Sequence, residues 1–399
     1  MKHNWEYKKL GEVVSSINGL WTGKKEPFVT IPVISLKNFT KDCKLKKEEY
    51  SIIDVEVRQF ASRKLQYGDI IIEKSGGSDT QPVGRPILFD IKEGDYSFSN
   101  FTATLRVNDA NKESLNSLFL HNVLLAYYKQ GKTLSLQSKT TGIHNLDLKS
   151  YLRLPIPLPP LSTQQSIVSE LDSLSKIIAD CKETLKDYDA LEQSILYDMF
   201  GDPVKNDKGW EVKKLGEVCS KITDGTHSSP ENTSEGDRMY ITAKNIKKDG
   251  IELKNITYVS EEVHRSIYDR CNPEYGDVLY IKDGITTGIA TINTLNEEFT
   301  LLSSVALIKV GNNLNNYFLK GLMNFESFYE MVRGNMGGAA ITRLTLAKIN
   351  NITIIFPPLP LQQQFASKIE AIEQMKEETK KALQEAETLF QARMDYWFN

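Results

Sequence analysis

A long run without glycine or proline extends from Leu161 to Phe200 and constrains the fold more than any other feature. It follows a proline-rich hinge at residues 155–160 and stops at Gly201. Apolar residues recur along it mostly in alternating steps of three and four, which predicts a helix that packs lengthwise on another helix. Because proline cannot extend a helix backwards and glycine favours helix ends, the hinge and Gly201 should bound it.

A second run of this kind continues to Asn399 after Phe356-Pro357-Pro358-Leu359-Pro360-Leu361-Gln362-Gln363, which repeats residues 158–165 at an offset of 198 residues. Neither run could bury its apolar stripe alone. We therefore expect the two helices to pair as an antiparallel coiled coil, with two ordinary bundle helices as the alternative. The predicted interface residues are Leu171, Leu174, Ile178, Leu185, Ile195, Phe365, Ile369, Ile372, Leu383 and Leu389.

The hinges belong to a duplication of the whole chain. Trp5–Val13 recurs as Trp210–Val218, and Tyr67-Gly68-Asp69 recurs as Tyr275-Gly276-Asp277. Between these matches the halves differ almost completely, which predicts one fold that presents two different surfaces. The predicted class is α+β, with a pseudo-twofold repeat of two similar globular domains separated by the long helices. The predicted segments are a first domain at 1–154, a hinge and central helix at 155–200, a second domain at 201–356, and a hinge and C-terminal helix at 357–399.

Charge is unevenly distributed along the chain. Residues 1–160 carry 23 lysines and arginines against 17 aspartates and glutamates, whereas residues 200–360 carry 18 against 20. A basic excess is typical of phosphate binding, but only the first half has one. No apolar run approaches the length that spans a membrane and no signal peptide is evident, so we expect a cytoplasmic protein with no membrane partner.

Catalytic and metal-binding signatures are weak throughout the sequence. Asn272-Pro273-Glu274-Tyr275 is superficially similar to a motif of amino-methylating enzymes, but the equivalent position in the first half lacks it. Gly19–Lys25 lacks the spacing of a phosphate-binding loop. The histidines and the four cysteines show no metal-ligand or disulfide pattern. The sequence therefore predicts no catalytic residue, no metal site and no cofactor on this chain.

Polar loops at equivalent positions of the two halves are better candidates for function. Such loops supply donors and acceptors for base edges, with lysine and arginine for phosphates, although ordinary solvated turns are the alternative for any single residue. The candidates in the first half are Trp21, Lys24, Lys25, Lys74, Ser75, Gly76, Gly77, Ser78, Lys139, Thr140, Thr141 and His144. Those in the second half are Lys221, Thr223, Asp224, Thr226, His227, Lys282, Asp283, Thr286, Thr287, Arg333, Gly337, Gly338 and Arg343.

These features together resemble the specificity subunit of type I restriction-modification systems. The resemblance lies in the paired Trp5–Val13 and Trp210–Val218 segments, the two Tyr-Gly-Asp strands, residues 141–146 and the two hinges with their helices. It implies two target-recognition domains, each recognising one half of a two-part asymmetric site in double-stranded DNA. At ~1.5 Å per residue, the helix after the first hinge would be roughly 58 Å long, which suits half-sites about one turn of DNA apart.

The resemblance also implies partners for the chain. Two modification subunits would methylate adenine with S-adenosylmethionine, and two restriction subunits could join them and cut DNA with ATP and Mg²⁺. This chain would contribute recognition and assembly without catalysis, while the complex would act as a DNA adenine methyltransferase and ATP-dependent endonuclease. A coiled-coil scaffold whose domains bind proteins or sugars is one alternative, and a self-sufficient methyltransferase is another.

Overall fold

The structure is a computed structural model that describes residues 4–21, 23, 25–78, 80–140, 143–334 and 343–399, except the side chains of Lys139 and Thr140. The chain forms two compact units, one comprising Met1–Asp180 with Leu383–Asn399 and the other Cys181–Ala382. Each unit therefore contains one globular domain and a part of both long helices. The mixed helix and strand content confirms the predicted α+β class.

In the first half of the chain the regular elements precede and include the first long helix. They are β1 (Glu6–Lys9), α1 (Leu10–Val13), β2 (Val14–Asn18), β3 (Phe28–Ile34), β4 (Ser51–Glu56), α2 (Val57–Arg63), β5 (Ile70–Glu73), β6 (Ser75–Gly77), β7 (Pro86–Leu88), β8 (Ser97–Phe98), β9 (Thr102–Val107), α3 (Ser117–Lys129), β10 (Gln137–Thr140), β11 (Ile143–Leu146), α4 (Leu148–Tyr151), β12 (Pro155–Leu158) and α5 (Leu161–Phe200).

The second half repeats this order with small changes. Its elements are β13 (Val212–Lys214), α6 (Leu215–Val218), β14 (Cys219–Asp224), β15 (Arg238–Ile241), β16 (Ile246–Lys247), β17 (Gly250–Ile251), β18 (Thr257–Val259), α7 (Glu261–Tyr268), β19 (Val278–Ile281), β20 (Ala290–Ile292), β21 (Phe299–Leu301), β22 (Val305–Val310), α8 (Asn316–Asn324), α9 (Glu326–Gly334), α10 (Leu346–Asn350), β23 (Thr353–Ile355) and α11 (Leu359–Phe398).

Each domain is built on a four-stranded antiparallel sheet, with strand order β2-β9-β5-β7 in the first and β14-β22-β19-β20 in the second. The strands that follow the Tyr-Gly-Asp repeats, β5 and β19, lie inside these sheets and are buried along their whole length. The aspartate is also buried in the first domain, where Arg106 binds Asp69 through two hydrogen bonds of 2.7 and 2.8 Å. Lys309 pairs with Asp277 at the equivalent position through one hydrogen bond of 2.7 Å. The repeat is therefore explained by a central strand with an ion-paired start.

The two hinges attach the helices to the domains through a buried glutamine. The Gln164 Oε1 atom accepts from the backbone N–H of Asn116, and its Nε2 donates to the carbonyl oxygens of Ser114 and Pro159, each at 2.8 Å. Gln362 makes the equivalent bonds with Asn315, Asn313 and Pro357. Both glutamines are fully buried. Asn116 and Asn315 cap α3 and α8, so each glutamine joins a long helix to a cap in its own domain.

The first long helix, α5, begins directly after Pro160 and ends where Gly201 adopts a left-handed φ of 76°, whereas α11 begins at Leu359, one residue before Pro360. In the first unit Leu171 of α5 belongs to the same core as Met394 and Phe398 of α11. In the second unit Leu196 and Phe200 of α5 share a core with residues of the start of α11. Because opposite ends of the helices meet in the two units, α5 and α11 run antiparallel.

The predicted interface residues occupy a range of environments. Leu171, Leu174, Phe365, Ile369 and Ile372 are buried, whereas Ile178, Leu185, Ile195 and Leu383 are half-buried. Leu389 requires a correction, because its side chain is 49 % exposed. The stripe near the end of α11 that faces the core runs in steps of four through Ala386, Phe390, Met394 and Phe398, of which Phe390 is half-buried and the others are buried. This register turns Leu389 towards solvent.

Ion pairs supplement the apolar contacts between the helices. Arg393 and the Trp397 indole both bind Glu170 in the first unit, and the hydrogen bonds from Arg393 lower the pKa of Glu170. In the second unit the Lys376 Nζ atom donates to Asp189 and Glu192 at 2.6 and 2.7 Å. Among the described residues, no helix has the length and apolar character that crossing a membrane requires.

Candidate nucleic-acid interface

The two candidate loops of the first domain form one small sheet. Strand β11 pairs on one side with β10 and on the other with β6, in the order β10-β11-β6. His144 lies opposite Gly77, and Asn145 lies opposite Ser75. The Ser75 hydroxyl donates to the Asn145 side-chain oxygen at 2.5 Å. The segment 75–77 and the segments 137–140 and 143–146, which are far from it in sequence, therefore share one surface.

Lys74 joins this small sheet to the core sheet of the first domain. Its backbone N–H donates to the carbonyl oxygen of Phe101 at 2.9 Å, and its carbonyl accepts from Leu146 at 2.8 Å. Its Nζ atom donates to the Asn18 amide oxygen at 3.0 Å, and partial burial lowers the pKa of the ammonium group. Because this partner is a neutral amide, it does not cancel the positive charge of Lys74.

The second domain has the same backbone arrangement with different charges. The carbonyl of Lys282 accepts from Leu344 at 2.7 Å, and Asp283 pairs with Arg343 in an antiparallel bridge. The Lys282 Nζ atom lies 3.2 Å from an Asp224 carboxylate oxygen, and Arg270 lies 3.2 Å from the other oxygen. Lys282 and Asp224 are 2 % and 1 % exposed, so their opposite charges compensate each other inside the protein.

Asn18, which binds Lys74, and Asp224, which binds Lys282, are each followed by a glycine, Gly19 and Gly225. A Cβ atom on Gly19 would lie 1.9 Å from the carbonyl oxygen of Ser99, and one on Gly225 would lie 1.7 Å from that of Leu301. Only glycine allows this approach of two backbone segments. The turn that places Asn18 and Asp224 beside the lysines is thus fixed by the sequence in both domains.

Many of the predicted contact residues are accessible. Trp21, Lys25, Gly76, Ser78, His227, Thr286 and Arg343 are exposed, and Lys74, Ser75, Lys221, Thr226, Asp283 and Arg333 are half-buried. Lys24, Thr141, Gly337 and Gly338 lie outside the described residues, as do the side chains of Lys139 and Thr140. The structure brings the segments that carry Lys74, Ser75 and His144 together in the first domain, and those of Asp224, Lys282 and Arg343 in the second.

Six predicted contact residues need a correction, because protein atoms cover them. They are Gly77, His144, Thr223, Asp224, Lys282 and Thr287. The Asp224 carboxylate is occupied by two cations, and the Thr287 hydroxyl donates to the carbonyl of Gly284 at 2.7 Å. These residues support the loops, whereas direct contact with DNA would require them to be exposed first.

Sequence reasoning missed several residues at these loops. Arg63 donates to the carbonyl of Asn18 at 3.0 Å, and Arg270 donates to the carbonyl of Gly225 at 2.6 Å. Arg63 and Arg270 each lie a few residues before a Tyr-Gly-Asp repeat. A comparison of the two halves of the sequence could therefore have found them. Ile285, 91 % exposed, was also missed, since an apolar residue between glycines carries no polar signal.

The family model described as type I restriction modification DNA specificity domain matches twice, at residues 2–187 and 207–388. A putative type I restriction enzyme MjaX specificity subunit from Methanocaldococcus jannaschii is 22 % identical, over 96 % of this chain and 90 % of its own length. The MjaIX specificity subunit of the same organism is 24 % identical, over 54 % of this chain and only 53 % of its own length.

Solved structures give the same fold. The type I restriction-modification S subunit from M. genitalium aligns with a TM-score of 0.58 at 15 % identity, covering 98 % of this chain and 96 % of its own. A chain from a structure concerned with complex assembly and conformational transition of the type I R-M system aligns with a TM-score of 0.53 at 20 % identity, covering 99 % and 97 %. None of these matches supports a scaffold for proteins or sugars.

Proposed function

The chain belongs to the type I restriction modification DNA specificity family, since the model of that domain matches both of its halves, and we propose that it recognises a two-part, asymmetric DNA sequence. As a specificity subunit it has two target-recognition domains and is itself non-catalytic. In the proposed function each domain recognises one part of the site, through the loops around Lys74 in the first domain and around Asp283 in the second.

The observation that carries this proposal is that the loops of the two domains have the same backbone hydrogen bonds but different side-chain partners. Lys74 and Lys282 accept equivalent backbone hydrogen bonds from Leu146 and Leu344, yet one ammonium group meets an amide and the other a carboxylate. Base edges are distinguished by the pattern of donors, acceptors and methyl groups that they present. Two domains with one backbone and different loop chemistry are therefore suited to two different half-sites.

The proposed partners follow from the family. Two modification subunits would bind this chain and methylate adenine with S-adenosylmethionine, and two restriction subunits could join to translocate and cut DNA with ATP and Mg²⁺. All of these cofactors would bind to the partner subunits. The proposed complex works in the cytoplasm, where its DNA substrate is. The second domain has no basic excess, so we expect the partners to supply much of the phosphate contact.

The test is a domain exchange read by methylome sequencing. A chimera that carries residues 1–150 of another specificity subunit is expressed in a host together with the modification subunits. We expect the methylated sequence to change in one part and to stay the same in the other. The reciprocal chimera, which exchanges residues 201–356, is the control and should change the opposite part. A chimera that changes both parts, or neither, would contradict the proposal.

A further inference from the structure

One loop of the second domain holds an apolar side chain in solvent. The loop joins β19 to β20, and its turn contains Gly284 and Gly288 at φ values of 107° and 104°. The Gly288 N–H donates to the carbonyl of Ile281 at 2.9 Å, and the Thr287 hydroxyl donates to that of Gly284 at 2.7 Å. These bonds close the turn from inside and leave Ile285 at its tip, where the side chain is 91 % exposed.

The side chain of Arg333 braces the same turn from a neighbouring helix, α9. Its Nη1 atom donates to the carbonyl oxygens of Ile285 and Thr287 at 2.8 and 3.2 Å. The guanidinium group lies 5.4 Å from the centre of the Tyr329 ring, and that ring would lie 3.0 Å from a Cβ atom on Gly288. A loop held by an arginine, a ring and its own hydrogen bonds cannot readily fold its tip inwards.

Single exposed apolar residues are common on protein surfaces, so exposure alone would indicate little. Ile285, however, is the most exposed of the large apolar residues in the described part of the chain, and its loop starts at Lys282, the counterpart of Lys74. Burial of this side chain in a complex would be favourable, which makes a contact with DNA at this tip the simplest use of it. Thymine presents the C5 methyl group, which is the apolar feature of a base edge in the major groove. Thr286 is exposed beside Ile285 and can place a hydroxyl next to that methyl group. A wedge between base pairs is the other use of an exposed apolar residue. It fits less well, because the neighbouring Thr286 is exposed and polar and would have to enter the apolar stack of bases with Ile285.

We propose that Ile285 recognises the C5 methyl group of a thymine in the part of the DNA site bound by the second domain. This inference rests on the proposed function and assigns one specificity-determining residue to it. The equivalent residue of the first domain is the buried Gly77, so the contact is specific to one part of the site. The first domain therefore has no side chain that could make the same contact from this position.

The test uses the full chain in complex with its modification subunits, after methylome sequencing has defined the site. Thymines in the second part of the site are replaced one at a time by deoxyuridine, which removes only the methyl group. At one position we expect affinity for the wild-type complex to fall about fourfold, as for loss of one buried methyl group. Ile285→Ala should bind the unmodified site several-fold more weakly and should be insensitive to deoxyuridine at that position.

Val212→Ala is the matched control, because Val212 is also an exposed apolar residue, 56 % accessible, but lies on β13 beside the second hinge. It should retain the wild-type affinity and the sensitivity to deoxyuridine.

The proposal is overturned if removal of no thymine methyl group weakens binding, if the second part of the site contains no thymine, or if Ile285→Ala stays sensitive to deoxyuridine. It is also overturned if 2-aminopurine fluorescence shows unstacking that depends on Ile285, which would indicate a wedge. If the wild-type complex does not distinguish its site from a scrambled duplex, the proposed function itself has failed.

Discussion

Replacing Gln164 by leucine should weaken the attachment of the first long helix, α5, to its domain without leaving a large cavity. The side chain is fully buried, and its amide makes three hydrogen bonds with backbone groups of Ser114, Asn116 and Pro159. Leucine fills similar space but can make none of them. Each bond contributes about 1 kcal/mol net, and the carbonyl of Pro159 is left buried without its partner, so the expected loss is about 3 kcal/mol.

The magnitude can be checked by thermal unfolding and by hydrogen exchange with mass spectrometry. For a unit of this size, about 3 kcal/mol corresponds to a fall in Tm of roughly 6–12 °C. Gln164→Leu should also speed exchange around the cap of α3 and the first turn of α5. Gln362→Leu should do the same around the cap of α8, since its bonds are equivalent.

The matched control is the neighbouring glutamine, Gln165, which lies on the same turn of α5 but is exposed. Gln165→Leu should change the Tm by less than about 1 °C, because it removes no buried hydrogen bond. Equal destabilisation by Gln164→Leu and Gln165→Leu would refute the reasoning. So would faster exchange that is confined to residues away from the hinge, because the predicted loss is local.

Two further predictions concern charge. Lys282→Met should destabilise the second unit by about 3 kcal/mol in urea unfolding, since it removes the buried cation from the buried Asp224 carboxylate and leaves it only Arg270 and His227, which are both exposed. Lys74→Met should cost less stability, because its partner is a neutral amide, and should reduce the salt dependence of DNA binding by about one ion. Similar stability losses in the two variants would contradict this. Hydrogen bonds from Arg238 and Arg265 lower the pKa of Glu261 to about 2, so its contribution to stability is present above the ordinary pKa near 4.5 and is lost as pH falls towards 2. The difference in Tm between wild type and Glu261→Gln should therefore shrink below about pH 4.5, with the exposed neighbour variant Glu262→Gln as the control, and a constant difference would contradict the assignment.

Sequence patterns predicted the local features of this fold well. The two long helices follow from runs without glycine or proline, and the central strands follow from the apolar residues after each Tyr-Gly-Asp repeat. Both signals depend on residues close together in the chain. The family, too, could be recognised from the duplication of the hinges and of Trp5–Val13.

Contacts between distant segments could not be predicted in this way. The segments around Ser75 and Asn145 look like separate polar loops, yet they pair as strands 70 residues apart. Lys282 looks like a surface lysine, but the Asp224 carboxylate that compensates its charge comes from another strand. Leu389 fits the spacing of a coiled coil, and only the packing of Phe390 and Met394 shows that the stripe has moved by one residue. In each case the partner that decides the outcome is remote in sequence.

If the proposed function is correct, the contrast between Lys74 and Lys282 should give the two domains unequal shares of the affinity for DNA. Both lysines occupy the same backbone position, so the difference arises from one substitution in the partner, Asn18 in one domain and Asp224 in the other. An ammonium group beside an amide retains its charge for a phosphate, whereas one buried beside a carboxylate does not. The charge balance agrees with this difference, because residues 1–160 have a basic excess and residues 200–360 have a small acidic excess. The first domain should therefore supply more of the salt-sensitive affinity, while the second depends more on shape, hydrogen bonds and the apolar tip at Ile285.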